Sequence, residues 1–430
     1  MTVELLFTLH SSLILRRIAM LEDIQETLRE QQLGVAEKIL QSRGVDIKEV
    51  KSKLAALKVE VPSWGFARAG TRFAVYTDGT EPVTVQDRLA AAGLCHKLTG
   101  STPSVALAIP RDGYDCDLIR QLLSEQGLNA GAINSDSFNP RQAPLDYRLR
   151  WGSLTNPLPE VRRAALQHHL DCVEMMRKLD SKHFSLWLHD GTNSPGQLSL
   201  FEQSRLLEES LRALYNALGD GQQIFIEYKF FEPGFYATAI ADWGRAYALA
   251  QKLGDRAKVL VDLGHHPLGT NIEQVVANLQ SLGKLGGFHF NDKKYADDDL
   301  ATGSVDPFQL FRIFNVLIEA DLAGLQSIDD VAFMIDESHC LKDPLEEMIE
   351  AVDNIQRAYV LALSVDRQAL KDAQKKVDAE WGDQILKNAF FDTPANAILQ
   401  TSHLERGYPV DPIKEYRARS SQQRSQSASR

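Results

Sequence analysis

The chain has 430 residues, 44% hydrophobic and 24% charged, with a net charge of −11, which is globular composition with ample material for a core. The acidic balance argues against nucleic acid as a main partner, since phosphate binding needs clustered Lys and Arg. No apolar run approaches the roughly 20 residues of a membrane helix.

The opening "MTVELLFTLHSSLILRRIA" places its arginines after the apolar stretch and shows no small-residue cleavage site, so it reads as a helical extension rather than a signal segment. A true start at Met20 is the other reading. From Met20 to about Leu57 apolar residues recur at three- and four-residue spacing, the period of a helix. Eight short runs follow: "VEVPSWG", "SVALAIP", "NAGAINS", "FSLWLHD", "QIFIEYK", "AKVLVDLGH", "GGFHFND" and "VAFMIDES". Turn residues bound each, and the gaps between them mostly suffice for a helix. Thr270 with Glu273 reads as a capping box, and Asp343 before Pro344 as a cap with a first-turn proline.

Eight strand–helix units predict an α/β (β/α)8 TIM barrel with additional N-terminal and C-terminal helices. A doubly wound open sheet is the alternative, but the Gly-rich first turn of that class is missing. The expected divisions are a helical extension over 1–60, the barrel over 61–365, a C-terminal helical extension over 366–416, and a disordered Ser/Arg-rich tail over 417–430. Four widely spaced cysteines (Cys95, Cys116, Cys172, Cys340) without a CxxC read as reduced thiols of a cytoplasmic protein.

Barrel enzymes build their sites at the C-terminal strand ends, and side chains alternate between the two faces of a strand. Glu227 shares a face with Lys229, His289 with Asn291, Asp336 with Ser338, and Trp187 with His189, while Asp262 ends its run. Three carboxylates converging with one imidazole resist ionisation unless a cation neutralises them. A divalent metal held by Glu227, Asp262, His289 and Asp336 is therefore expected. Oxygen-rich donors without thiolate suit Mn, Mg or Co. "FHFNDKKYADDDL" adds Asp297 and Asp299, which with His265 and a bridging Glu227 could hold a second ion; Asp298 is expected to face solvent.

The set "PSWG…GTRF", "EYKFFEPGFY", "VDLGHHPLGTNIE", "GFHFNDKKYADDDL" and "MIDESH" resembles the metal-dependent L-rhamnose isomerases of the broad-specificity bacterial type, within the xylose-isomerase-like barrels. The resemblance runs from about Met20 to about Tyr416. It implies an aldose–ketose isomerase working by hydride shift between C1 and C2, with two divalent cations per subunit, Mn2+ foremost, and a homotetrameric assembly. It further implies that the first donor set holds a structural, substrate-orienting ion and the second, with His265, the catalytic one. Lys229 matches an active-site lysine that stabilises charge on O1. Asp336 would also orient a water, Trp187 matches an aromatic wall, and Ser338 a polar residue near the sugar. The chain departs from the family at "AIPRD", where the usual motif is "HIPWD". Ala108 stands for a sugar-ring histidine and Arg111 for a wall tryptophan, which points to altered substrate choice. An acidic or phosphorylated sugar is one expectation for Arg111, because guanidinium favours anions. The rivals are a sugar epimerase of the same superfamily and a catalytically silent sugar-binding barrel.

Overall fold

Strands buried on both faces read as near-continuous apolar runs, and each of the eight runs is a strand in the computed structural model, which describes residues 24–67, 82–137, 147–337 and 341–428. They are β1 (Glu60–Pro62), β2 (Ser104–Ile109), β3 (Asn129–Ser135), β4 (His183–Leu186), β5 (Gln223–Glu227), β6 (Ala257–Asp262), β7 (Leu285–Phe290) and β8 (Ala332–Ile335). All pair in parallel and in sequence order, and β8 returns to β1 to close the barrel. A helix follows every strand, from Val85–Thr99 after β1 to Pro344–Leu363 after β8. This is the expected TIM barrel.

The interior is filled in part by Ala132, Phe225, Leu260 and Met334, one from each of four strands, as a packed barrel core rather than a pore. On the other face of β7, Phe288 and Phe290 stack with ring centroids 5.1 Å apart, and Phe290 lies 5.7 Å from Phe314 of the helix Pro307–Leu322. That outward packing fixes His289, between them, as inward.

Asp343 caps its helix through Oδ1, which accepts from the Leu345 and Glu346 N–H groups at 3.0 Å each. The other expected cap differs by one residue. Asn271, not Thr270, accepts from Gln274 N, while the Thr270 hydroxyl donates to Pro267 O at 2.9 Å. Between strands, Gly191–Thr192 pairs antiparallel with Ala237–Thr238. A Cβ on Gly191 would lie 2.4 Å from Ala237 O, so only glycine permits this approach.

The chain divides into two units, one of Met1–Ala56 with Tyr359–Asp411 and one of Leu57–Ala358 with Pro412–Arg430. Within the first, Arg43 joins the N- and C-terminal helices by donating to Ser364 O, Thr393 Oγ1 and Asn388 O at 3.2, 2.7 and 3.0 Å. In place of the expected disorder from residue 417, Pro412–Ala428 is helical. Tyr416 anchors it by donating to Asp343 Oδ2 at 2.9 Å. Among the described residues, no helix is long and apolar enough to cross a membrane. Cys95, Cys116 and Cys172 are free thiols, while Cys340 lies outside the described residues, as do the first nineteen.

Candidate metal centre

Phe225, Leu260 and Met334 point into the barrel, so the residues two further on, Glu227, Asp262 and Asp336, continue inward at its mouth. His289 stands in register with Asp262 on one side and Met334 on the other. The side chains converge. Glu227 Oε1 lies 3.1 Å from His265 Nδ1 and its Oε2 3.3 Å from His289 Nδ1. His289 Nδ1 is 3.8 Å from Asp262 Oδ2 and 3.7 Å from Asp336 Oδ2.

The loop after β7 brings two more carboxylates. Asp297 and Asp299 both adopt left-handed backbone, with φ of 49° and 48°, which Asp tolerates better than most residues. Both are buried. Asp297 Oδ1 lies 3.0 Å from His265 Nε2, and its Oδ2 lies 2.6 Å from Lys229 Nζ. Lys229 also meets Glu232 Oε2 at 2.8 Å and sits 4.9 Å above the Trp187 ring. Asp298 instead closes the loop on itself, accepting from the backbone N–H groups of Lys294 and Tyr295 at 2.6 Å each. His266 and Asp292 serve structure. The first shares a 2.6 Å hydrogen bond with Tyr228, and the second accepts from Val305 and Asp306 N–H.

The electrostatics are those of crowded anions. Burial and neighbouring Glu227 push Asp262 up to about 6, against the pull of His265 and His289. Burial, Asp297, Asp336 and Asp262 raise Asp299 well above the carboxylate range. Burial opposes ionisation of Glu227, but the two histidines hold it down at about 2.

Glu227, Asp262 and His265 offer donor atoms within 4.8 Å of one another, and so do Asp262, His289 and Asp336. Among the described residues, Asp262 Oδ2 and His289 Nδ1 find no hydrogen-bond partner, and both atoms are buried. Orphaned lone pairs of this kind are costly, and an oxygen-rich set with imidazole is the donor chemistry of a hard or borderline divalent ion. The residues fit a metal.

Hydrogen bonds from neighbouring side chains hold the donors in place. Trp64 Nε1 donates to Asp336 Oδ1 at 2.8 Å, and Asn291 Nδ2 to Asp262 Oδ1 at 2.9 Å. Asp190 accepts from Ser153 N, Ser153 Oγ, Thr155 N and Thr155 Oγ1. Ser338 lies outside the described residues. Arg111 is not the free cation expected for an anionic sugar, since its Nε donates to Asp136 Oδ2 at 2.9 Å. Asp136 was legible by parity, two residues past Asn134 at the end of β3, yet no sequence motif marks it.

Comparison with known proteins agrees with this architecture. The model of the xylose isomerase-like TIM barrel matches residues 97–356. A probable sugar isomerase of Rhizobium meliloti is 44% identical over 382 residues, 88% of each chain. One of Mesorhizobium japonicum is 41% identical over 380 residues, 88% of this chain and 87% of that one. The D-allulose 3-epimerase of Methylomonas sp., solved with D-allulose, superposes with a TM-score of 0.50 at 14% identity, over 70% of this chain and 97% of that one; that likeness is one of fold. The chain belongs to the xylose isomerase-like TIM barrel family.

Proposed function

We propose that the protein is a metal-dependent aldose–ketose isomerase, moving hydrogen between C1 and C2 of a small sugar. The observation that carries this is the convergence of Glu227, Asp262, His265, His289 and Asp336, with Asp297 joined to both His265 and Lys229. The relatives named as probable sugar isomerases support it.

Glu227, Asp262, His289 and Asp336 would hold one divalent cation, and His265, Asp297 and Asp299 with Glu227 a second, Mn2+ being the expected ion. Such cations act as Lewis acids on neighbouring sugar oxygens. The chain's own groups do the rest. Lys229, clamped by Glu232 and Asp297, presents a fixed positive charge to the sugar's carbonyl-end oxygen. Trp187 gives the flat apolar wall against which a sugar face rests. Trp64 fixes Asp336 by its indole hydrogen bond, so that Asp336 can also orient a water. Hydrogen passes directly from C2 to C1 as hydride; deuterium at C2 retained in the product tests this, and washout into solvent refutes it.

Aldoses of the L-rhamnose and L-mannose configuration are the proposed substrates, in the cytoplasm, with a homotetramer as the proposed assembly. The decisive experiment strips the protein with chelator, reloads it with Mn, Co, Mg or Zn, and assays ketose formation on L-rhamnose, L-mannose and D-allose. Turnover that needs metal and is lost in Glu227→Ala is expected. Inversion of a ketose without carbonyl transfer would make it an epimerase, and sugar binding without any turnover a silent binding barrel.

A further inference from the structure

The barrel mouth carries a second polar assembly that the isomerase reading does not use. In the closed strand order β2 stands opposite β6 and β3 opposite β7. Residues just past Ile109 and Ser135 therefore stand across the mouth from Asp262 and His289. Asp136 continues the inward parity of Ala132 and is 3% exposed. Its Oδ2 receives Arg111 Nε at 2.9 Å, but among the described residues its Oδ1 has no partner. Arg111 commits only Nε to this pair; among the described residues none accepts from its two terminal nitrogens.

The position is rigid. Arg88 donates to Asp112 Oδ1 at 2.7 Å and to Arg111 O at 3.2 Å, while Asp112 Oδ2 takes Ser63 Oγ at 2.5 Å and Ala108 N at 2.8 Å. Arg111 is thus presented in place, and its orientation is set by Asp136.

A buried acceptor left without a donor is expensive, and a guanidinium edge beside such an acceptor matches a hydroxyl, which both donates and accepts. A carboxylate or phosphate would find the Arg111 charge already countered and would meet the lone pairs of Asp136. A methyl group would leave every one of these groups unsatisfied. The geometry points to Arg111 and Asp136 as specificity determinants for the end of the sugar remote from the isomerised carbons. They select a neutral aldose with a terminal hydroxyl over its 6-deoxy or acidic counterpart. The choice of a sugar as ligand rests on the isomerase reading.

L-Mannose and L-rhamnose differ only by the hydroxyl at C6, and their alditols lack the carbonyl that isomerisation needs. Calorimetric titration of the Mn-loaded full chain with L-mannitol and L-rhamnitol reads the preference without turnover, and kcat/KM on the two aldoses reads it in turnover. L-Mannitol is expected to bind about tenfold tighter or more, with the ratio collapsing in Arg111→Met and in Asp136→Asn. Should Asp136→Asn fail to fold, Arg111→Met, on a side chain 15% exposed, decides. Equal binding, no binding, tighter L-rhamnitol, a ratio unmoved by the substitutions, or a higher kcat/KM on L-mannuronate than on L-mannose overturns the proposal. Selective alditol binding without conversion of either aldose defeats the isomerase reading and leaves this one standing.

Discussion

The ammonium of Lys229 lies 2.6 Å from Asp297 Oδ2, so the lysine beside Trp187 is tied to a carboxylate that also reaches His265. Burial works against its charge, but Asp297 and Glu232 outweigh it and raise the lysine above its ordinary range. Lys229 therefore stays protonated across neutral pH. Lys229→Met keeps the aliphatic stem over Trp187 and removes the charge. We expect kcat to fall by about 10²- to 10³-fold, as for loss of one preorganised charge-stabilising donor, with alditol affinity nearly kept. Steady-state kinetics beside alditol titration checks this; an unchanged kcat would remove Lys229 from the chemistry.

Asp190 gathers four hydrogen bonds from Ser153 and Thr155 at 2.5–2.8 Å while 1% exposed. It follows the strand end that carries Trp187 and so fixes that wall to the segment before the helix Pro159–Lys178. Asp190→Ala strands two buried N–H groups and two hydroxyls, at about 1–3 kcal/mol for each unsatisfied group. We expect a loss of at least about 3 kcal/mol in urea denaturation and a raised KM. A loss below 1 kcal/mol would mean that the loop repacks around the gap.

Glu60, on β1, reaches the barrel interior, with its carboxyl accepting from Ala132 N at 2.9 Å and filling the space that a Cβ on Gly131 would need. Burial pushes its pKa up to about 7, against the hydrogen bond from Ala132. The folded value exceeds the unfolded one, so its contribution is full below about pH 4.5 and is lost as pH rises to about 7. That amounts to about 3 kcal/mol at about 1.4 kcal/mol per pH unit. Urea midpoints of the wild type should drop relative to Glu60→Gln between pH 5 and pH 8. Parallel pH profiles for the two proteins would show that Glu60 titrates normally.

Why the strands were legible and the supports were not follows from the same physics. Strands buried on both faces must be apolar throughout, and a polar residue at the end, as in Glu227 or Asp262, then stands out by parity. Asp190, Trp64 and Asp136 act through partners more than twenty residues away, and no local period encodes such a pairing. Arg111 read as a lone cation because its neutralising carboxylate lies on the next strand. The Gly191–Thr192 and Ala237–Thr238 strands are too short for any alternation to show. The helix Pro412–Ala428 has no apolar stripe to announce it; Tyr416 and Arg417, which pair with Asp343 and Glu346, hold it instead.

His289 offers the sharpest test of metal occupancy. Burial acts to lower its pKa, but Glu227, Asp336 and Asp262 together raise it to about 9 in the metal-free protein. Its folded value lies above the unfolded one of about 6.5. Its contribution is therefore complete below about pH 6.5 and is lost as pH rises through about 9. A cation at the same donors needs neutral imidazole and displaces that proton, so the loaded protein escapes the loss and binds metal more tightly as pH rises. The Tm of chelator-treated protein should fall from pH 6.5 to 9 while that of Mn-loaded protein holds, so the gap between them widens with pH. At a hundred times Kd the bound ion adds about 2.7 kcal/mol. His289→Gln should flatten the chelated profile and shrink the gain from Mn. A gap that is the same at every pH in scanning calorimetry would place the cation away from His289.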